Sequence, residues 1–426
     1  MKRKLLWILG VVPFLMAPVG PAGAQPIGLE PEVEEARQAG VPVGPGLWRL
    51  HGVDPALPGA EDLAPLRRMI GKATVVGLGE SWHTSGGFYN LKHRIFRDLV
   101  ETLGFRVFAI ETHWAAAEKA NRYVQTCEGD PDEALDLHMD IWRSVELREL
   151  LEWMCEWNRT HPGDRVHYYG FDIQGPWWDG PGLIAFLGRI GIGEEHPWVA
   201  GVEACEDVKV QYRPQIPPAV HEQCMAGLRA VEEHFQRNRR AIEGQTSKED
   251  LELAKLRLLS LRGWQELVFY IGTDFALGFN GREEAMVKAF FLQREKHFPK
   301  AKTVVWAANI HIARAPLSNG ARPIGGSLAA RLGRSYVSFA IAANHAELDL
   351  ASTCEVRDAV PGSIEERLAA LGEDALLVDL AKSNYLQPRV YEMGTFPFRP
   401  RKHFNGILFL ESSERMQSTG WAPCQE

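Results

Sequence analysis

The sequence predicts an α/β fold: a largely parallel central sheet flanked by many helices, with an added helical subdomain. Three observations carry this. Seven short apolar runs read as strands, and several are continuous rather than alternating, as strands covered on both faces are. Helical patterns lie between them, and strands alternating with helices build parallel sheets. Between 219 and 297 the helical pattern exceeds what sheet crossovers need, which predicts a separate helical layer against the sheet.

The first element along the chain is a targeting segment. Lys2, Arg3 and Lys4 precede an apolar run from Leu5 to Met16, and Ala22-Gly23-Ala24 supplies small residues for cleavage. Residues 1–24 thus read as a secretory signal, and the chain as exported, periplasmic or secreted. The run is shorter than the ~20 residues of a membrane-spanning helix, so no stable membrane insertion is expected once it is removed. Residues 25–60, rich in Pro and Gly, read as an irregular lead-in, and 61–426 as one α/β domain.

Within that domain the strand-like runs are Thr74–Leu78, Val107–Ile110, Val166–Tyr169, Thr303–Ala307, Tyr336–Ile341, Ala375–Val378 and Ile407–Leu410. Leu91, Ile95, Leu99 and Leu103 recur at i, i+4, with Phe96 and Val100 widening the stripe, and Leu147, Leu150, Leu151 and Met154 repeat the pattern. The insertion at 219–297 divides into an amphipathic 219–243, a helix at 248–270 and a helix at 281–297. Ser247 and Asp250 are spaced as a capping box for the second, and Asn280 is placed to cap the third. The segment 175–217, opening Gly175-Pro176-Trp177-Trp178-Asp179-Gly180, reads as an excursion or lid.

Charge and cysteine usage narrow the function. Lys and Arg total 47 against 55 Asp and Glu, a formal charge of -8, with no long basic run, which argues against nucleic-acid binding. None of the six cysteines forms a C-x-x-C pair, so no zinc knuckle is indicated. Proximity pairs Cys205 with Cys224, and Cys354 with Cys424 would tie down the C-terminus. Cys127 and Cys155 read equally well as a disulfide or as buried thiols.

Polar residues collect after four strands. The first leads to Gly79-Glu80-Ser81-Trp82-His83, the second ends in Glu111-Thr112-His113, the third leads to Asp172 and Gln174, and the fourth to Asn309 and His311. Ligand sites of parallel α/β sheets form at the carboxyl ends of strands. A histidine beside carboxylates suits general-base work, because imidazole titrates near neutral pH and a carboxylate fixes its tautomer. His83, oriented by Glu80 or Glu111, is the preferred base. Competing motifs fail on spacing. Gly77-Leu78-Gly79 lacks the third Gly of a dinucleotide fingerprint, since Trp82 stands there. Gly325-Gly326-Ser327-Leu328-Ala329 ends in Ala, and reads as a helix-initiating turn rather than a nucleophile elbow. Glu80, His83, Glu111 and His311 are plausible metal ligands without a metal-site spacing, so neither metal nor cofactor is assigned.

The blocks Gly77 to His83, Leu91-Lys92-His93-Arg94, Ala109-Ile110-Glu111, Tyr169 to Gln174, Arg282-Glu283-x-x-Met286 and Val305 to His311 run in order across roughly 65–345. Together they resemble the erythromycin esterase family. The resemblance implies metal-independent hydrolysis of an ester, with the macrocyclic lactone of macrolide antibiotics as the name-giving substrate. His83 would activate water, Glu80 and Glu111 would orient it, and His311 and Lys92, with Arg282, would stabilise charge on the carbonyl oxygen. Asp172, Gln174 and Glu283 would support the site. Trp177 reads either as a cover for an apolar substrate or as a packing residue. The late histidine pair of the family reads His-Asn-x-His, and here its first position is Ala308. That departure leaves open a catalytically weakened binding or scavenging homologue, and a metal-dependent hydrolase is a further, separate alternative. The implied partner is a small-molecule ester, and the pattern assigns no oligomeric state.

Overall fold

A computed structural model describes residues 42–57, 61–206, 216–351 and 353–424, so the expected signal segment lies outside the described residues. The strands are β1 (Pro42–Gly44), β2 (Leu47–Arg49), β3 (Val75–Leu78), β4 (Phe105–His113), β5 (His167–Asp172), β6 (Lys302–Trp306), β7 (Tyr336–Asp349), β8 (Cys354–Asp358), β9 (Ala375–Asp379), β10 (Tyr391–Met393), β11 (Phe396–Phe398) and β12 (Gly406–Ser413). One ten-stranded sheet runs in the order β1-β2-β9-β12-β7-β3-β6-β4-β5, with β8 pairing off β7. From β12 to β5 every neighbour is parallel. Each of the seven strand-like runs lies in or overlaps a strand of this sheet. Every residue of β3 and β9 is buried, as their unbroken apolar pattern requires. The run at 375–378 is one of the antiparallel members, paired to both β12 and β2.

The lead-in is more ordered than its composition suggests. Residues 42–49 form the β1-β2 hairpin, whose Leu47 pairs with Val378 on the edge of β9. The hairpin closes at Gly46, with φ 73°, where a Cβ would lie 2.6 Å from the Ser383 backbone nitrogen, so only glycine fits.

Helix Gly86–Leu103 buries Leu91, Ile95 and Leu99 and stops at Gly104 in the left-handed region. Ser247 caps Lys248–Tyr270 by accepting from the Asp250 backbone N–H at 3.0 Å, as its spacing predicts. Asn280 does not cap a helix. That helix spans Phe275–His297 and is capped by Asp274, while Asn280 reaches the following loop through Gly320 O and Arg322 N. Gly278 and Gly281 obscured its first turns. Both face Glu266 on the preceding helix, where a Cβ would press on its backbone or side chain. The 219–243 pattern is broken at Asn238 into Pro218–Arg237 and Arg239–Gln245.

The segment 175–217, read as an excursion or lid, is helical where it is described. Its described part forms helices Pro176–Arg189 and Pro197–Glu206, so the helical layer begins near 176 rather than 219. Leu183, Phe186, Val199 and Val202 share one buried cluster with Leu228, Val231 and Leu258. Gly201 and Gly227 let two of these helices touch: a Cβ on either residue would sit 2.6 Å from the other's Cα. All six cysteines pair, as Cys127–Cys155, Cys205–Cys224 and Cys354–Cys424. No helix among the described residues is long and apolar enough to cross a membrane.

The glycine contact gives a direct test of the helical layer. Gly227→Val should lower the unfolding free energy by about 1–3 kcal/mol or more, because the helices must separate to admit two methyls. Denaturant titration beside the wild type measures this.

Candidate active site

The sheet order places β3, β6, β4 and β5 side by side and parallel, so their carboxyl ends share one edge. Glu80 and His83 follow β3, Ala308 to His311 follow β6, Glu111 lies near the end of β4, and Asp172 ends β5. The ionisable groups form two neighbouring sets.

The first set centres on Glu80, which is buried. Its Oε1 pairs with His83 Nδ1 at 2.6 Å, and its Oε2 accepts from Lys92 Nζ and from Trp306 Nε1 at 2.9 Å. Lys92, on helix Gly86–Leu103, is fully buried and lies 4.2 Å from the centre of the Trp306 ring. Burial pushes the Glu80 carboxyl up, but Lys92 and His83 beside it bring it below the usual carboxylate range. Burial takes the Lys92 ammonium down to about 8 despite Glu80. An ionised Glu80 accepts only, so Nδ1 of His83 carries the proton and Nε2 presents a lone pair when the ring is neutral. His83 retains 29% exposure and meets the edge of Trp142 at 5.1 Å between ring centres.

The loop carrying this pair is fixed from β7. Asn309 donates its backbone N–H to Glu80 O at 2.8 Å, and its side chain exchanges hydrogen bonds with the Ile341 backbone. A Cβ on Gly79 would lie 2.0 Å from Asn309 Oδ1, which is why glycine stands there without any nucleotide to approach. Ser81 Oγ donates to Ile341 O and accepts from Asn309 Nδ2, so its proton is directed at a carbonyl rather than at a base.

The second set centres on Arg282 of helix Phe275–His297. Its Nε and Nη2 donate to the two oxygens of Asp172 at 2.9 and 2.8 Å, and Nη2 also donates to Glu111 Oε1 at 2.7 Å. The same Glu111 oxygen lies 3.1 Å from His311 Nε2, and its other oxygen accepts from the Ala308 N–H at 2.8 Å. His311 Nδ1 pairs with Glu283 Oε1 at 2.6 Å, while Glu283 Oε2 accepts from Ile324 N. Phe279 stacks on the His311 ring. Burial pushes the His311 ring down, but Glu111 and Glu283 carry it up to about 9, so both ring nitrogens donate at neutral pH. Burial raises Glu111, yet His311 and Arg282 hold it well below the carboxylate range. Burial opposes the Arg282 charge, and Asp172 and Glu111 outweigh it and raise its pKa above the ordinary range.

The structure therefore gathers Glu80, His83 and Lys92 into one set, and Glu111, Asp172, Arg282, Glu283 and His311 into the other. Glu111 is bonded to Arg282, Ala308 and His311, so Glu80 is the carboxylate that orients His83. His311 and Arg282 are hydrogen-bonded to carboxylates, and Lys92 to Glu80. Gln174 is buried two residues past β5, and Trp177 is 43% exposed at the start of helix Pro176–Arg189. His113 is drawn away to Asp179, at 2.9 Å, which also accepts from Ser260 and ties β4 to the helical layer. Among the described residues no group of three or more His, Cys, Asp or Glu is arranged to hold a metal ion. Trp306, Trp142 and Asn309 complete the first set; Asn309 was among the polar residues after the fourth strand, while the two tryptophans gave no sign of their contacts. A tryptophan ending an apolar strand reads as core, yet here its indole N–H bonds Glu80 and its ring faces Lys92.

Fold and site together define a mixed α/β protein whose ionisable groups collect at the carboxyl edge of a parallel sheet. The chain belongs to the erythromycin esterase family, a family of hydrolases, whose profile matches residues 100–413. That span contains the whole Arg282 set and begins after Glu80, His83 and Lys92. The erythromycin esterase type II of Escherichia coli is 32% identical over 113 residues, 26% of each chain, so the match spans about a quarter of that relative's length. Three solved structures share the fold. A Bacillus cereus protein has a TM-score of 0.69 at 19% identity, covering 87% of this chain and 96% of its own. A protein described as a succinoglycan biosynthesis protein has 0.67 at 21%, covering 87% and 96%. A histidine-to-asparagine mutant of erythromycin esterase EreC, in its open conformation, has 0.69 at 17%, covering 86% and 98%.

The raised His311 pKa has a measurable consequence. A group whose folded pKa lies above its unfolded value of ~6.5 stabilises fully below that value and loses its contribution as pH rises through the folded one. The stability difference between wild type and His311→Gln should therefore be largest near pH 6 and shrink as pH rises to about 9. Taking the difference removes the opposing titration of Lys92. Denaturation midpoints across that range test it.

Proposed function

We propose that the protein is an exported hydrolase of the erythromycin esterase type, cleaving an ester or lactone with water activated by His83 and without a metal ion. The observation that carries this is the state of the His83 ring. It is part exposed at the sheet edge, and its Nδ1–H is held on a buried carboxylate whose other oxygen is already satisfied. In the proposed reaction a water gives its proton to His83 Nε2 as it attacks the carbonyl carbon. Glu80 stabilises the imidazolium that forms, and the same proton passes to the departing alkoxide. Lys92 and Trp306 keep Glu80 ionised and still, and act as positioning residues. Export is supported by the pairing of all six cysteines, since disulfides persist in oxidising compartments.

A second reading, a binding or scavenging homologue with weakened chemistry, rests on Ala308. This part-exposed residue lies two positions past β6, donates its backbone N–H to Glu111, and has a side chain that cannot donate, accept or carry a proton.

With p-nitrophenyl butyrate and erythromycin as substrates, His83→Ala should lower kcat/KM by ~10²–10⁴, the usual worth of a general base. Prolonged treatment with EDTA should leave the wild type unchanged. Activity that survives His83→Ala overturns the mechanism, and activity lost to EDTA and restored by a divalent metal makes the enzyme metal-dependent. Under the second reading, Ala308→His should raise kcat by about tenfold or more while leaving substrate affinity unchanged.

A further inference from the structure

A cavity of about 180 Å³ opens between the 316–318 loop, Val390, β11 and the short helix Pro400–His403. Its polar lining is Arg399, Lys402, His403 and Ser318, and no carboxylate contributes to it. In a chain of formal charge -8, this is a locally acid-free cationic surface. Neither Arg399 nor Lys402 has an ion-pair partner among the described residues, and both are exposed.

His403 is the buried element of the lining, at 3% exposure. Its Nδ1 accepts from the Arg399 backbone N–H at 2.9 Å, which fixes the proton on Nε2. Burial, together with Lys402 and Arg399, takes the ring down to about 4, so near neutral pH it is an uncharged donor. That Nε2–H reaches the Pro316 carbonyl at 3.4 Å, and Lys402 Nζ reaches the same oxygen at 3.5 Å. Lys402 thus keeps two of its three N–H groups for another acceptor, and the single His403 N–H is held only by a long bond that a stronger acceptor can share. Leu317, Val390 and Pro397 supply an apolar wall beside the donors, and Val390 is 44% exposed there.

We propose that this cavity binds a small carboxylate with a short apolar chain. The carboxylate would take the His403 N–H and the Arg399 and Lys402 charges, with Arg399 able to grip it in bidentate fashion. The chain would cover Val390 and Leu317. The volume falls below the ~300 Å³ at which ordinary small-molecule pockets begin, which suits a ligand of a few carbons rather than a nucleotide or a peptide. The inference is independent of the hydrolytic reading, because Arg399, Lys402 and His403 belong to neither ionisable set.

Isothermal titration of the purified full chain with hexanoate, hexan-1-ol and inorganic phosphate at constant ionic strength tests it. Hexanoate should bind saturably at one site. The double variant Arg399→Gln, Lys402→Gln should weaken that binding about tenfold or more, with an unchanged melting temperature, since both side chains are exposed. Hexan-1-ol and phosphate should each bind far more weakly than hexanoate. The proposal is overturned by absence of saturable hexanoate binding, by equal binding to the double variant, or by hexan-1-ol or phosphate matching hexanoate. Ester hydrolysis by the double variant should equal that of the wild type.

Discussion

The architecture of the site depends on how one buried carboxylate is satisfied. An ionised Glu80 placed in an apolar core without partners would cost several kcal/mol. It is made tolerable by three donors from three elements: His83 from its own loop, Lys92 from helix Gly86–Leu103 and the Trp306 indole from β6. These contacts fix more than a charge. They lock that helix to the sheet, set the height of the loop after β3, and choose which nitrogen of His83 faces outward. Asn309 then ties the same loop to β7, so four segments agree on the position of one imidazole.

The Arg282 set plays a different part. Its carboxylates come from β4, β5 and the helical layer, and its two cations from that layer and from the turn after β6. Three carboxylates meet two cations, with every contact among them buried. Such an arrangement contributes little net stability when compared with apolar packing, but it is unforgiving of partial loss. It registers the helical layer against the sheet edge. The Asp179 contacts with His113 and Ser260 repeat that registration further out.

Much of this was legible in the sequence, and the failures have physical causes. Unbroken apolar runs such as Val75–Leu78 identified the parallel strands because burial on both faces leaves no polar positions. The polar groups after four of those runs followed from the general placement of ligand sites at strand ends. Periodicity failed where glycine serves packing. Gly278 and Gly281 hid the first turns of helix Phe275–His297, and Gly180 with Pro181 made Pro176–Arg189 look like a loop. Partner choice was the other limit. Which carboxylate holds His83, and that His311 is enclosed by Glu111 and Glu283, depends on angstrom-scale placement that residue type and spacing do not encode. Trp306 was invisible for the same reason, since its pattern reports only its ring.

The mutual satisfaction of Glu111, Asp172, Arg282, Glu283 and His311 also bears on how such a protein diverges. Loss of Arg282 or His311 leaves buried carboxylates short of a partner, and loss of Asp172 or Glu111 takes an acceptor from Arg282, so single steps there are costly. Change there requires paired steps. Ala308 carries no such debt, since it offers the set only a backbone N–H. The ionic centre therefore changes as a single unit, whereas a neighbour such as Ala308, which brings it no side-chain charge, can be replaced on its own.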